Sequence, residues 1–419
     1  MIIQENLPNN WEYLPIRSIF TESDTRCGDN QYDLLSVTQD RGIIKQSDVD
    51  IKKDISNDDK SKYKVVLKDS IAYNKMRMWQ GAVGINEIDD GIVSPAYVVI
   101  NPTKEMNTKF YYYLFKTPYM ISQFGKYSYG LVDDMNSLRY DDFKKIYIPI
   151  PPIEEQNKIV DLIDKKSTHI ESFIQNKTRF IELLKEQKEA IINEAVTKGI
   201  DNSVAFKDSK LDFFGEVPKH WSIRRLSTIG KFSKGGGISR DDLKEDGLPA
   251  ILYGDIYTKY NIKTEKIFHK ISDETAEKSI PISTNNLLFT GSGETKEDIG
   301  KCIVYVGNET VYVGGDVIIF KQSSESSLYL SYVFNSKGVI AQKMLSAKGE
   351  IIVHTYASSL REILFPLPPL EEQLQIAEYI ENEFNQIDKL IEKTTKEIEL
   401  IKEYKISLIN EAVSGKIKV

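Results

Sequence analysis

The sequence is poor in the residues from which most catalytic and metal centres are built. Its 419 residues include two cysteines and four histidines. Cys27 and Cys302 are single and far apart, so they offer no metal-binding pair and point to a reducing, cytoplasmic setting. His169, His220, His269 and His354 are scattered, and neither His-Glu-x-x-His nor Cys-x-x-Cys occurs. His169 falls inside a long helical run, where a surface position is expected. Gly235-Gly-Gly237 and Gly291-Ser-Gly293 are not followed by Gly-Lys-Ser/Thr, so neither is a P-loop. They read as tight loops near strand ends. The Asp/Asn-Pro-Pro-Tyr sequence that amino-methyltransferases place around a flipped base is also missing. No run of eighteen apolar residues exists, so no membrane span is expected. Met1-Ile-Ile-Gln-Glu-Asn6 has no basic region followed by an apolar core, which predicts no signal peptide. Together these absences weigh against a self-contained enzyme.

The rest of the composition is that of a soluble globular protein, 41% hydrophobic and 28% charged, and long enough for two or three domains. Net charge is −7, opposite in sign to the usual footprint of a nucleic-acid binder. The distribution matters more than the sum. Residues 16–148 carry 19 basic and 19 acidic side chains, and residues 226–365 carry 16 and 17. Residues 366–419 carry 7 and 11, so much of the acidity sits at the C-terminal end. A neutral domain can still present one basic face.

The dominant feature is an internal repeat. Pro149-Ile-Pro-Pro-Ile-Glu-Glu-Gln156 recurs without a gap, 217 residues later, as Pro366-Leu-Pro-Pro-Leu-Glu-Glu-Gln373. Each opens a long helical stretch, and Ile-Asn-Glu-Ala-Val closes both, at Ile192 to Val196 and at Ile409 to Val413. Pro-x-Pro-Pro is stiff and cannot be helix interior. The Glu-Glu pair suits a first helical turn, where negative charge meets the positive end of the dipole. Ile159, Ile170, Ile181 and Ile192 then recur every eleven residues, with Ile163 and Ile174 four after the first two. The second copy has Ile376, Ile387, Ile398 and Ile409, with Ile380 and Ile391. Eleven residues fill three turns, so the stripe stays on one face of a rod, and some 43 residues span roughly 65 Å. Matching stripes on matching rods predict that the two helices pair with each other as an antiparallel coiled coil.

A second repeat frames the first. Leu7-Pro-Asn-Asn-Trp11 recurs as Val217-Pro-Lys-His-Trp221. Each Trp is expected to be a buried anchor where the chain enters a domain. The segments between are mixed. Strands are predicted at Tyr32–Val37, Tyr63–Leu67, Asp69–Tyr73, Gly91–Val93 and Tyr97–Ile100, with one helix over Lys109–Gln123. In the second segment strands are predicted at Ala250–Tyr253, Asn286–Thr290, Cys302–Val306 and Val317–Phe320, with a helix at Leu328–Phe334. Ile299-Gly300 lines up with Val83-Gly84, and Val313–Phe320 with Val93–Ile100. Residues 201–215 are polar and read as a linker. No regular βαβ alternation appears, so the class is α+β: two globular domains, a long antiparallel two-helix coiled coil, and a pseudo-two-fold tandem duplication.

What remains resembles a reader of DNA. Tyr73-Asn-Lys-Met-Arg-Met-Trp-Gln-Gly81 interleaves Lys75 and Arg77 with Tyr73 and Trp79 at a strand end. Arg and Lys bind phosphates or guanine edges, and Asn74 and Gln80 have the side chains that pair with adenine. An ordinary salt-bridged surface loop is the plainer alternative. The equivalent place in the second domain is Thr290-Gly-Ser-Gly-Glu-Thr-Lys296, where Gly291 and Ser292 would let backbone approach a groove and Lys296 adds charge. Lys234, Arg240 and Lys259 are further candidates.

These features resemble the specificity subunit of type I restriction–modification systems: tandem Pro-x-Pro-Pro-x-Glu-Glu-Gln helices ending in Asn-Glu-Ala-Val, each after a domain opened by Pro-x-x-Trp. The resemblance covers the whole chain. Asn74–Gly84 and Gly91–Tyr97 also look like a recurrent type of target recognition domain. The resemblance implies target recognition domains over residues 1–150 and 217–367, long helices over 151–200 and 368–419, and a linker over 201–216. It implies that each domain reads half of a bipartite double-stranded DNA site through the major groove. The helices would set the spacer and dock two methyltransferase (M) subunits that use S-adenosylmethionine. Restriction (R) subunits using ATP and Mg would join them. The chain itself would hold no catalytic residue, metal or cofactor and would touch no membrane. The rival expectations are a coiled-coil scaffold that reads no DNA, and a methyltransferase or nuclease with an unfamiliar site.

Overall fold

A computed structural model describes residues 7–39, 41–49, 59–130, 136–350 and 352–419. Met1–Asn6, and the signal-peptide reading that rests on them, lie outside the described residues. The chain divides into two compact units, Met1–Thr178 with Thr395–Val419, and Arg179–Thr394.

The long helices run Ile153–Lys198 and Leu370–Val413, and each starts immediately after its Pro-Pro pair. The preceding Pro149 and Pro366 sit in short strands, Tyr147–Ile150 and Leu364–Leu367, which pair with Glu12–Pro15 and Ser222–Arg225. None of the twelve isoleucines is exposed. Ile159, Ile163, Ile170, Ile192, Ile376, Ile380 and Ile387 are buried, while Ile174, Ile181, Ile391, Ile398 and Ile409 are half-buried. In the first unit Ile159 and Ile163 share a core with Ile409, Ala412 and Val413. Glu171 pairs there with Lys405 at 2.7 Å, and Lys177 with Glu397 at 2.7 Å. In the second unit Ile192 and Val196 meet Ile376 and Ile380, and Lys188 pairs with Asp388 at 2.7 Å. Within each unit a rising number on one helix meets a falling number on the other, so the pair is antiparallel. The stripe carries the association. A buried Ile contributes about 1.5–3 kcal/mol, and a largely exposed ion pair about 0–1. The ends of the stripe do more than pair helices, because Ile159, Ile163, Ile376 and Ile380 also pack into the globular cores.

The first unit carries two four-stranded sheets. One is antiparallel, in the order Phe20–Ser23, Tyr97–Pro102, Ile71–Asn74, Val83–Ile85. The other is Gly42–Lys45, Asp33–Thr38, Gly91–Val93, Lys64–Val66, with a parallel pair at its centre. The helix expected over Lys109–Gln123 is two helices, Thr108–Phe115 and Pro118–Tyr127. Pro118 ends the first, and the Thr117 side chain accepts from Met120 N to start the second.

The second unit has two five-stranded sheets. One runs Lys231–Lys234, Val317–Lys321, Leu287–Thr290, Cys302–Tyr305, Lys263–Thr264. The other runs Leu243–Lys244, His269–Ile271, Leu248–Ile251, Val311–Val313, Ile280–Ile282. The helix Ser327–Phe334 forms where periodicity placed it. The stretch expected to be a linker is ordered. Phe206–Asp208 and Glu216–Pro218 form a hairpin, and Phe214 is buried in the domain core. A side chain on Gly338 would collide with the Phe214 ring, so the glycine admits it. Its polar composition hid two apolar anchors, Leu211 and Phe214.

Candidate nucleic-acid interface

The frame that presents the loops is built from the repeated motifs. Trp11 and Trp221 are buried, at 8% and 1% exposure. The Trp11 indole N–H donates to Glu155 Oε2 at 2.7 Å, and that of Trp221 to Glu372 Oε1 at 2.9 Å. The second glutamate of each Glu-Glu pair therefore grips the Trp that opens the same domain, beyond any effect on the helix dipole. The glutamine that follows is a hook. Gln156 accepts from Asn107 N at 2.9 Å and donates to Pro151 O at 2.8 Å. Gln373 accepts from Ser326 N at 2.9 Å and donates to Pro368 O at 2.9 Å. Asn107 and Ser326 are the caps of Thr108–Phe115 and Ser327–Phe334, so each long helix is tied to the helix that backs its domain. The recurrence of Pro-x-x-Trp together with Glu-Glu-Gln was the signal for this contact. Gln373→Ala strips a buried N–H of its acceptor and is expected to cost about 1–3 kcal/mol. A thermal melt should separate it from Glu371→Ala, an exposed first-turn control expected to cost about 0.3–1 kcal/mol through the helix dipole.

The first candidate loop joins Ile71–Asn74 to Val83–Ile85. Arg77 and Gln80 are exposed and Lys75 is half-buried. Arg77 has no ion-pair partner among the described residues. Three of the candidates shape the fold instead. Tyr73 is fully buried, its ring 4.8 Å from Phe143 and its hydroxyl without a hydrogen-bond partner among the described residues. Burial holds that phenol well above its usual range. Tyr73 is therefore core, because alternation along the strand turns it inward. Asn74 Oδ1 accepts from Met76 N at 3.0 Å, and the half-buried Trp79 donates its indole N–H to Met76 O at 3.0 Å. Both close the loop on itself.

In the second unit Arg240, Lys259 and Ser292 line one cleft of about 960 Å³, with Asp255, His269, Glu294 and Asp316. Lys234, Gly291 and Lys296 lie outside that lining. Arg240, Lys234 and Lys296 are exposed and have no ion pair among the described residues. Lys259 is engaged locally. Its Nζ is 2.9 Å from the buried Asp255 carboxylate, 2.8 Å from His269 Nε2 and 5.4 Å over the Phe268 ring. Asp255 also takes Leu252 N at 3.0 Å and lies 3.1 Å from His269. The sequence did not single out Asp255, because a strand was expected at Ala250–Tyr253 where the helix Tyr253–Thr258 begins, and only that helix brings Asp255 beside its cap Lys259, four residues on. Ser292 is buried, its hydroxyl 3.0 Å from His354 Nδ1, in a short ladder with Val353–His354. A Cβ on Gly291 would stand 2.9 Å from Asp316 O, so that glycine admits the turn that leads into Val317–Lys321. Gly291 is thus a packing residue, and Ser292, though it borders the cleft, is engaged with His354. Carboxylates outnumber cations in the cleft, which suits hydrogen bonding to base edges better than phosphate binding.

The strand registers also correct the alignment of the two domains. Tyr73 pairs with Val83, and Phe289 with Cys302. Gly81 and Gly300 each stand two residues before that pair, and both have positive φ, 85° and 69°. Gly300 therefore matches Gly81, not Gly84. Ile100 and Phe320 do correspond, since they pair with Ile71 and Leu287.

Among the described residues no cluster of His, Cys, Asp and Glu could hold a metal ion, and no helix is long and apolar enough to cross a membrane. The family described as type I restriction modification DNA specificity domain matches residues 8–183 and again 218–400. A Methanocaldococcus jannaschii protein, provisionally named MjaX type I restriction enzyme specificity subunit, is 25% identical over 395 residues, 90% of this chain and 86% of that protein. A chain solved in work on complex assembly and conformational transition of the type I R-M system superposes with a TM-score of 0.73 at 14% identity, over 98% of this chain and 99% of that one. The HsdS subunit from Thermoanaerobacter tengcongensis does so with a TM-score of 0.57 at 16% identity, over 98% of each chain. At those identities the likeness is one of fold.

Proposed function

The chain belongs to the type I restriction modification DNA specificity family, and from that premise we propose that each unit reads one half of a split double-stranded DNA site. It is the recognition subunit of such a system and not its enzyme. The paired long helices set the gap between the two half-sites and offer docking surfaces to two methyltransferase subunits. S-adenosylmethionine belongs to those partners, and ATP and Mg to the restriction subunits that join them in the cytoplasm.

The observation that carries this reading is the duplicated frame with unlike loops. Trp, Glu and Gln make the same contacts in both units. The loops that the frame presents differ in length and chemistry: cationic and aromatic over Lys75–Gln80, acidic over the exposed Glu294–Asp298. A shared frame with different loops is what two different half-sites require. Phosphate contacts are sequence-blind, so the loop that reads bases must differ between halves.

Arg77→Ala tests the assignment in the first unit. With its methylating partners present, the variant is expected to relax discrimination at one position of one half-site by about 1–3 kcal/mol and to leave the other half unchanged. Equal weakening on every duplex would make Arg77 a phosphate contact.

A further inference from the structure

Both units hold a lysine ammonium against the same point of the corresponding loop. In the first unit Lys116 Nζ donates to Gly81 O at 2.9 Å and to Gln39 O at 2.5 Å. In the second, Lys343 Nζ donates to Gly300 O at 2.7 Å and to Phe334 O at 2.9 Å. Gly81 and Gly300 are the equivalent residues that close the two loops, both in the left-handed region. The lysines are not equivalent in sequence. Lys116 caps the helix Thr108–Phe115, whereas Lys343 lies within the next helix, Lys337–Ser346. In the second unit the residue corresponding to Lys116 is Asn335, which caps Ser327–Phe334 and grips both backbone groups of Cys302 at 3.0 and 2.7 Å. The same contact has thus been built from two different places.

Packing alone does not account for Lys343. It is 1% exposed, and no carboxylate pairs with it among the described residues. Burying an unpaired ammonium is costly, and burial pushes this one down to about 8. A methionine would fill the space without that cost. What the ammonium adds is a grip on two backbone carbonyls, one at the end of the loop and one at the C-terminus of the backing helix, where a cation is favoured. Its Cδ also stands 2.9 Å from where a Gly300 Cβ would be, so loop and lysine fit closely.

We propose that Lys116 and Lys343 are positioning residues for sequence reading, each fixing the closing glycine so that the exposed part of its loop meets base edges in one geometry. The inference rests on the DNA-reading function above. Hydrogen bonds weaken steeply with small displacements, so a loop that reads bases needs a fixed end.

The test uses the full chain assembled with its methylating partners, offered duplex DNA of randomised sequence. Lys343→Met keeps the stem and removes the donors. Discrimination in one half-site is expected to fall by about tenfold or more, with the other half unaltered. Lys116→Met should do the same to the opposite half. If Lys343→Met does not fold, the half-buried Lys116 carries the test alone. Lowered stability with unchanged selectivity in both halves would make the lysines purely structural and overturn the proposal, as would equal relaxation of both halves by one substitution. A wild-type complex that selects no sequence would instead overturn the DNA-reading function on which the proposal stands.

Discussion

Trp221→Ala is expected to cost about 3–5 kcal/mol, the range for truncating a buried aromatic residue. Trp221 is 1% exposed, and its indole N–H is bonded to Glu372 at 2.9 Å. The ring is also covered by Gly199, whose φ of +76° needs a glycine and whose Cβ would meet the ring at 3.2 Å. Removing the indole leaves a cavity where the chain enters its domain and takes one donor from Glu372 at the start of the second long helix, leaving it His220 at 2.8 Å. Each kcal/mol lowers the melting temperature of a unit this size by roughly 2–4 °C, so the second unit should melt roughly 6–20 °C earlier. Trp79→Ala is the control, because Trp79 is half-buried and bonded only within its own loop. Its cost should stay within about 1 kcal/mol. Similar losses for the two would remove the anchor role from the Pro-x-x-Trp motif.

Lengthening both long helices should change the recognised DNA site outright. The isoleucine stripe repeats every eleven residues, which is three helical turns. Inserting two such repeats, twenty-two residues, into each helix beside the Lys177–Glu397 pair leaves the stripe in phase. It adds about 33 Å of helix, close to one turn of DNA or about ten base pairs. The unspecified gap of the site is expected to grow by about that number while both half-site sequences persist, and methylation of the original site should vanish. Adding a single repeat to each helix keeps the protein in phase but shifts the DNA by about half a turn, so it should leave only weak recognition. An altered half-site after either insertion would contradict the division of labour between helices and loops.

The long helices were legible because their pattern is local and repeats: apolar spacing, acidic first turns and Pro-Pro stops all lie within a few residues of each other. The tryptophans were legible because they recur in the same frame. Elsewhere, distant partners decided the outcome. Tyr73 sits in an aromatic-basic stretch, yet strand alternation sends it into the core beside Phe143. Gly291 looked like room for a groove, but the turn at Asp316 takes that room. The polar segment after the first long helix held Phe214, whose site is opened by Gly338 in another helix. The misplaced glycine match arose because the loops differ in length, and only strand pairing shows where each ends. Lys116 and Lys343 had no local signal at all, since their partners are carbonyls of residues far along the chain.

Two unlike units should read two halves of one DNA site. Mapping adenine methylation in cells that express this chain with its methylating partners tests it most directly. The expected result is one motif of two short specified blocks separated by a gap of fixed length, with Arg77→Ala relaxing one block alone. A single contiguous motif, or methylation without any motif, would contradict it.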